Sequence, residues 1–520
     1  MRRYQRRKLG GRLIVGCAAS SLFALTIAAT AQMLEPDGSA TATPNSRTVA
    51  QMQADEAVML KPAAVQPVPF RPTVDEASYA AYKAEIDQLS PLASSVRPAA
   101  PKPLYPVVPA LIGVTVKEGV NSTTAGGWRP PDAEGVVGDY HYIQTVNNRI
   151  VIYNRTGPTA VLNVSLNSFF GYATQSYFDA RVIYDRKWRR WIVAAPAFTE
   201  TTSPYVQRYS IAISKGYNPV YSGWWIYHLN VNYGASSNFV FDFPQIGLDN
   251  DALLVTANIF DPGYVSSRLS VLAKSWIYNG LGGTYWYWGG LHGTLASTLA
   301  YDQNRKTFLA AAEPNDNKIY VYTLEHSGRI PPALSGPSTV SETAYTVPPN
   351  AAQPGTAATL DTLDNRFQNV SSQIGDDLWN IHSIAIGPAA IRWYRINTVG
   401  MTNAQTGSFY SSVSSADFNP SIAANGSYAF VCWSSTDSNN LVNAQIRWSG
   451  KLDSETVINA PAWATLFTSP TYYGTSGVQR WGDYSAISLD PSWPKAAWMV
   501  NEKINSTTTW GTRFGAVTFP

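Results

Sequence analysis

Trp481-Gly482-Asp483-Tyr484-Ser485-Ala486-Ile487-Ser488-Leu489-Asp490 sets an acidic residue in a turn, then a short apolar strand, then a second acidic residue. The same phrase occurs three more times, as Phe178-Asp179-Ala180-Arg181-Val182-Ile183-Tyr184-Asp185, as Phe241-Asp242 through Asp249, and as Phe418-Asn419 through Asn425. Each copy is followed by a second apolar run and usually a third, so the repeating unit is a small antiparallel sheet. Repeats of about 40 to 50 residues built this way mark a β-propeller. The fold class is all-β, with about seven blades. Their inner strands start after Pro130-Pro131-Asp132, at Asp179, at Asp242, near Ser297, at Trp379 to Ile386, at Asn419 and at Asp483. The last strand, Trp510 to Phe519, is expected to help close the ring and remove an exposed edge.

Working outward, the chain divides into 1–31, 32–106 and 107–520. The first segment has a basic run (Arg2, Arg3, Arg6, Arg7, Lys8, Arg12), an apolar stretch from Leu13 to Ala28, and Ala29-Thr30-Ala31 before Gln32. This is the anatomy of an export signal cleaved after Ala31, which places the protein outside the cytoplasm, secreted or periplasmic. Arg6-Arg7 also permits twin-arginine export. Residues 32–106 are rich in Ala and Pro and read as an extended linker carrying one short helix near Thr73 to Ile86. Only Cys432 follows the signal, so the propeller is expected to fold without a disulfide, with Cys432 buried in an apolar strand.

Composition excludes several function classes. Charged residues are 14% and the net charge is +3, much of it in the leader, so no basic footprint for nucleic acid remains. There is no phosphate-binding loop, dinucleotide fingerprint or Gly-x-Ser-x-Gly elbow, hence no nucleotide cofactor. The histidines show no zinc spacing. No cofactor is required, although carboxylates at one rim are compatible with calcium. The 17 Trp and 30 Tyr suit packing between blades, and exposed members offer faces for sugar rings.

In a propeller, residues at equal places in each repeat converge on the central channel. The alignment brings Asp132, Asp179, Asp242, His382, Asn419 and Asp483 to one rim, with Glu134, Arg181, Arg480 and Tyr484 beside them. Carboxylates, guanidinium groups, an imidazole and a phenol together suit acid–base work on a sugar or capture of an acidic one. His382, Asp483, Tyr484 and Glu134 are the candidate catalytic residues. Asp132, Asp179, Arg181, Asp242, Asn419 and Arg480 are candidate ligand-binding residues. A repeated Asp at a strand start also serves as a turn cap, which is the structural alternative for each of them.

The phrases Pro130-Pro131-Asp132 to Gly138, Asp179-Ala180-Arg181 to Asp185 and Trp481-Gly482-Asp483-Tyr484-Ser485 resemble a family of exported bacterial propeller proteins without a settled activity. The resemblance spans residues 107–520 and implies fold and export. Glu134 stands where that family more often has Asn. The architecture is also similar to that of sialidases, which implies an arginine cluster (Arg181, Arg392, Arg480) and Tyr484 as nucleophile, although the Ser-x-Asp-x-Gly-x-Thr-Trp boxes are missing. The leading expectation is a propeller binding an extracellular polysaccharide or oligosaccharide at its central rim. A glycoside hydrolase or polysaccharide lyase at the same rim is the rival, and a protein partner held by the blade loops is the third reading.

Overall fold

Seven short strands line a central channel: Glu134–Val137, Arg181–Asp185, Val240–Leu248, Thr298–Ala300, Ser371–Ile374, Ala416–Ala424 and Ala486–Leu489. They touch one another in chain order, and the last touches the first, so the ring is closed. The computed structural model describes residues 32–58, 71–74, 76–93, 97–98, 107–157, 159–173, 175–198, 207–232, 239–261, 263–303, 305–458 and 464–520. The leader expected at 1–31 lies outside the described residues, and Gln32–Pro520 forms one compact unit.

Behind six of the inner strands the chain folds outward as an antiparallel meander, as in Glu134–Val137, His141–Val146, Arg149–Asn154 and Ala160–Ser165. The fourth unit differs. Its inner strand is three residues long and runs parallel to its neighbours, Leu299 facing Leu248 on one side and Ser372 on the other. A single bridge from Ala296 to Ala310 joins it to its own sheet.

A repeated interaction joins the units at the far end of the inner strands. Asp185 accepts the backbone N–H groups of Lys187 and Trp188, both at 3.0 Å, with one oxygen. Its other oxygen accepts Lys274 Nζ at 2.6 Å and the Tyr278 hydroxyl at 2.7 Å from the next blade. Asp249 closes its turn through Asp251 and Ala252 and reaches Thr307 at 2.9 Å. Asn425 closes its turn through Ser427 and Tyr428 and donates to the Pro494 carbonyl at 2.7 Å. Asp490 closes its turn through Ser492 and Trp493 and pairs with Arg155 of the first blade. Aromatic side chains fill the wedges between blades, as where Tyr142 stacks on Phe514 and Trp498 at 4.4 and 5.5 Å. Cys432 is buried and free, as expected.

The last strand helps close the ring, as expected. Thr509–Thr518 is the third strand of the last blade, and Ala110–Asn121, ahead of the first blade in sequence, pairs outside it. The strand that precedes the first blade and the last strand of the chain, hydrogen-bonded into one sheet, hold the ring where no disulfide is available.

The segment 32–106 carries more structure than its composition predicts. Met33–Leu34, Gly38–Ala42 and Pro44–Arg47 add outer strands to the fourth, third and second blades in turn. Edge pairing uses backbone N–H and C=O groups, so it needs no hydrophobic pattern and leaves no sequence signal. Two helices follow instead of one: α1 (Val49–Val58) and α2 (Glu76–Ala93). Glu56 of α1 bonds Ser165 and Ser168 and pairs with Arg149 at 3.1 Å.

Asp185→Ala leaves the buried Lys274 without its counter-ion and opens the turn. It is expected to cost about 3–5 kcal/mol in chemical denaturation, and a loss below about 1 kcal/mol would show that this inter-blade contact is not a main source of stability.

Candidate functional site

The phrase's first Asp is placed by backbone conformation. Asp132, Asp179 and Asn419 have φ of 51°, 46° and 48°, the left-handed region that Asp and Asn tolerate best among residues with a Cβ. In the second blade this residue interrupts pairing just before the channel strand, and in the sixth it does so within that strand, as a bulge does. In the third blade the left-handed residue is Phe243 (φ 50°), so Asp242 stands one step early. Six residues before the exit-turn Asp490 stands Tyr484, as Asp179 stands six before Asp185, and Asp483 is therefore one step early too.

Most of the expected residues do converge. The Asp483 N–H donates to Asp132 at 2.7 Å, and the Tyr484 hydroxyl donates to Asp179 at 2.8 Å. Asn147 links the two acids, donating to Asp132 and accepting the Asp179 N–H at 2.6 Å. Arg480 pairs with Asp483 at 2.6 Å and Asp361 at 3.0 Å. Arg181 lies 3.3 Å over the Tyr484 ring, pairs with Glu134 at 2.8 Å and donates to the Pro244 and Gln368 carbonyls. Asn419 accepts from Gln368 at 2.8 Å and donates to the Gly482 carbonyl.

Burial governs the charges. Burial, then the Asp483 charge, pushes Asp132 up to about 7, and burial raises Asp483 to about 7 despite Arg480. Burial, and then the Asp132 and Asp242 charges, hold Asp179 well above its ordinary carboxylate value. Burial likewise raises Glu134 and Glu502, and Tyr484 stays a phenol. Burial works against the Arg480 cation, but Asp483, Asp361 and Asp132 hold it charged. The cluster is thus a proton-sharing network of acids and fixed cations.

Two expectations need correction. His382 lies on the second strand of its blade, Asp377–Ala385, because the channel strand is Ser371–Ile374. Its Nδ1–H donates to the Asn365 carbonyl at 2.6 Å, and its Nε2 accepts the Tyr394 hydroxyl at 2.9 Å. Burial lowers its pKa to about 3, so it is a neutral packing residue. Arg392 bonds Ser408 and the Thr343 carbonyl and does not join Arg181 and Arg480. Among the described residues no group of three or more His, Cys, Asp or Glu side chains has metal-holding geometry.

The mouth is also covered, which the sequence did not signal. Arg71 pairs with Asp242 at 3.2 Å, and its carbonyl accepts from Arg366, itself clamped by Asp364. Lys83 of α2 is buried and donates to the Pro348 carbonyl and Thr362, both at 2.9 Å. Deeper in the channel, Glu134, Arg181, Asn369, Ser421 and Ser485 line a cavity of about 40 Å³, large enough for water but too small for a sugar.

The opposite rim is open. A cavity of about 590 Å³ lies among the turns of the second, third and fourth blades, lined by Trp188, Arg190, Asp251, Lys274, Asn279 and Arg329. A second, of about 290 Å³, adjoins it at Asn250 and Lys274 and reaches Leu299 and Tyr301 at the channel end. Trp188 is 51% exposed.

No family model matches this chain, and no curated protein matches it. Among solved structures it is similar to a luciferin-regenerating enzyme, at 13% identity over 69% of this chain and 100% of that one, TM-score 0.36. A Trypanosoma rangeli sialidase in complex with sialic acid is 9% identical over 66% of this chain and 54% of that one, TM-score 0.34. An exo-β-1,3-galactanase from Phanerochaete chrysosporium with galactose is 9% identical over 79% and 99%, TM-score 0.31. Likeness at this level carries no information about activity.

Two outcomes are expected. Asp132 and Asp483 stay protonated in the folded protein to about pH 7, whereas their ordinary value is 3.8. Their contribution is complete below about pH 4 and is lost as the pH rises through about 7. Asp132→Asn should therefore flatten the fall in stability between pH 4 and 7 by about 1–4 kcal/mol in denaturation curves; parallel curves for variant and parent would refute the proton-sharing network. His382→Ala should cost about 2–5 kcal/mol through its cavity and the stranded Tyr394 hydroxyl, with ligand binding per folded molecule unchanged.

Proposed function

We propose that this protein is an exported β-propeller that binds an extracellular glycan, and that recognition takes place at the open rim of the channel. The observation that carries this reading is Trp188. The Asp185 carboxylate holds its turn rigid through two N–H groups, and the indole is half exposed at the edge of the larger cavity. A preordered aromatic face beside amide and hydroxyl groups stacks on a sugar ring at little cost in entropy. The cavity falls within the size range of small-molecule sites.

Hydrolysis at the mouth is the second reading, favoured by Asp132 and Asp483 near 7 beside Tyr484. Against it, each acid and cation there is engaged within the protein, and the Arg71 and Lys83 segments lie over the ring. A hydrolase would have to displace that cover.

A panel of neutral and acidic oligosaccharides, read by calorimetry and by reducing-end release, separates the two. Binding without turnover is expected, with Trp188→Ala weakening it at least ten-fold at unchanged melting temperature. Reducing ends released by the parent and abolished by Asp483→Asn would overturn the binding reading in favour of the hydrolase. Silence throughout would leave a protein partner at the blade loops.

A further inference from the structure

We infer that the open groove selects an anionic glycan, an oligosaccharide carrying carboxylate groups; this rests on the binding reading above and names its ligand class. The turn Asp185-Arg186-Lys187-Trp188-Arg189-Arg190 holds four cations and one acid. That acid is consumed internally by two N–H groups, Lys274 and Tyr278. Arg189 is consumed as well, by Asp139 at 2.7 Å. Arg186 lies 4.9 Å over the Tyr301 ring in the smaller cavity, and Lys187 donates to Asn250 between the two cavities.

The two remaining guanidinium groups are the telling ones. The side chain of Arg190 makes one long bond, 3.4 Å to the Trp188 carbonyl, and its buried Nε has no partner among the described residues. Arg329 is exposed, lines the same cavity, and forms no ion pair among the described residues. Several other arginines of comparable burial are matched with acids, as Arg155 is with Asp490, Arg395 with Asp377 and Asp453, and Arg480 with Asp361 and Asp483. Among the described residues the one acid lining the larger cavity is Asp251, against Arg190 and Arg329, since the Lys274 charge is taken up by Asp185. A half-buried guanidinium without a counter-ion favours a planar carboxylate, which it grips through two parallel N–H bonds. Trp188 supplies the stacking face between ring-bearing units, and Asn250 and Asn279 supply amide partners for hydroxyls. That combination fits acidic sugars better than an acidic peptide, whose carboxylates come without flat-faced rings.

The test is calorimetry on the mature chain with oligomers of galacturonate, alginate and hyaluronan, a neutral galacto-oligosaccharide of equal length, and polyglutamate. At least one acidic oligosaccharide should bind ten-fold or more tightly than the neutral one, with affinity falling as salt rises. Arg190→Gln and Arg329→Gln should each weaken it at least ten-fold, while Trp188→Ala should weaken acidic and neutral sugars alike. Arg329 is exposed, so its variant decides the matter if Arg190→Gln lowers the melting temperature. Equal binding of neutral and acidic sugars, untouched by the arginine variants, would overturn the anionic class and leave the glycan reading standing. Binding of none of the sugars would overturn both, and polyglutamate binding as tightly as the acidic sugars would overturn the sugar assignment.

Discussion

A carboxylate at the end of a channel strand has two oxygens, and this fold gives them different tasks. One closes the turn to the second strand by accepting two backbone N–H groups; the other takes a donor from the next blade, as Asp185 takes Lys274 and Tyr278. Local turn geometry and inter-blade docking are thereby coupled in one side chain. Because Asp490 reaches Arg155, the last blade is fastened to the first by the same device that fastens the others. The open groove depends on it as well, since Trp188 and the cationic turn are presented by the turn that Asp185 holds.

The other end of the channel strands is organised by burial. Asp132, Asp179 and Asp483 crowd around Tyr484 and Arg480 where water is largely excluded, so ionising all three acids together is unfavourable. Protons and fixed cations hold the cluster near neutrality, and the segments 71–74 and 76–87 lie over it. The two ends of one channel therefore have opposite characters: a closed, acid-rich mouth satisfied from within, and an open rim where cations outnumber acids.

Much of the fold was legible because repetition is a sequence property. The strand phrase, the turn acids and the aromatic runs recur, and the blade boundaries at Asp179, Asn419 and Asp483 follow from them. The fifth blade misled because its channel strand, Ser371–Ile374, has Gly375 in place of the usual turn acid, so the apolar run containing His382 looked like the better match. The fourth is weak for a related reason, since its channel strand is held mainly by neighbours.

An all-β repeat with acids at both ends of its inner strands can be read from the residues alone, because side-chain alternation and turn chemistry act over a few residues. That the second, third and fourth blades take an outer strand from the N-terminal segment emerges with folding, because edge pairing is made by backbone groups common to every residue. Folding alone also sets which acids are neutralised and which arginines are left unmatched, because those outcomes depend on burial and on partners far away in the chain, as Arg71 is from Asp242 and Arg190 from Arg329.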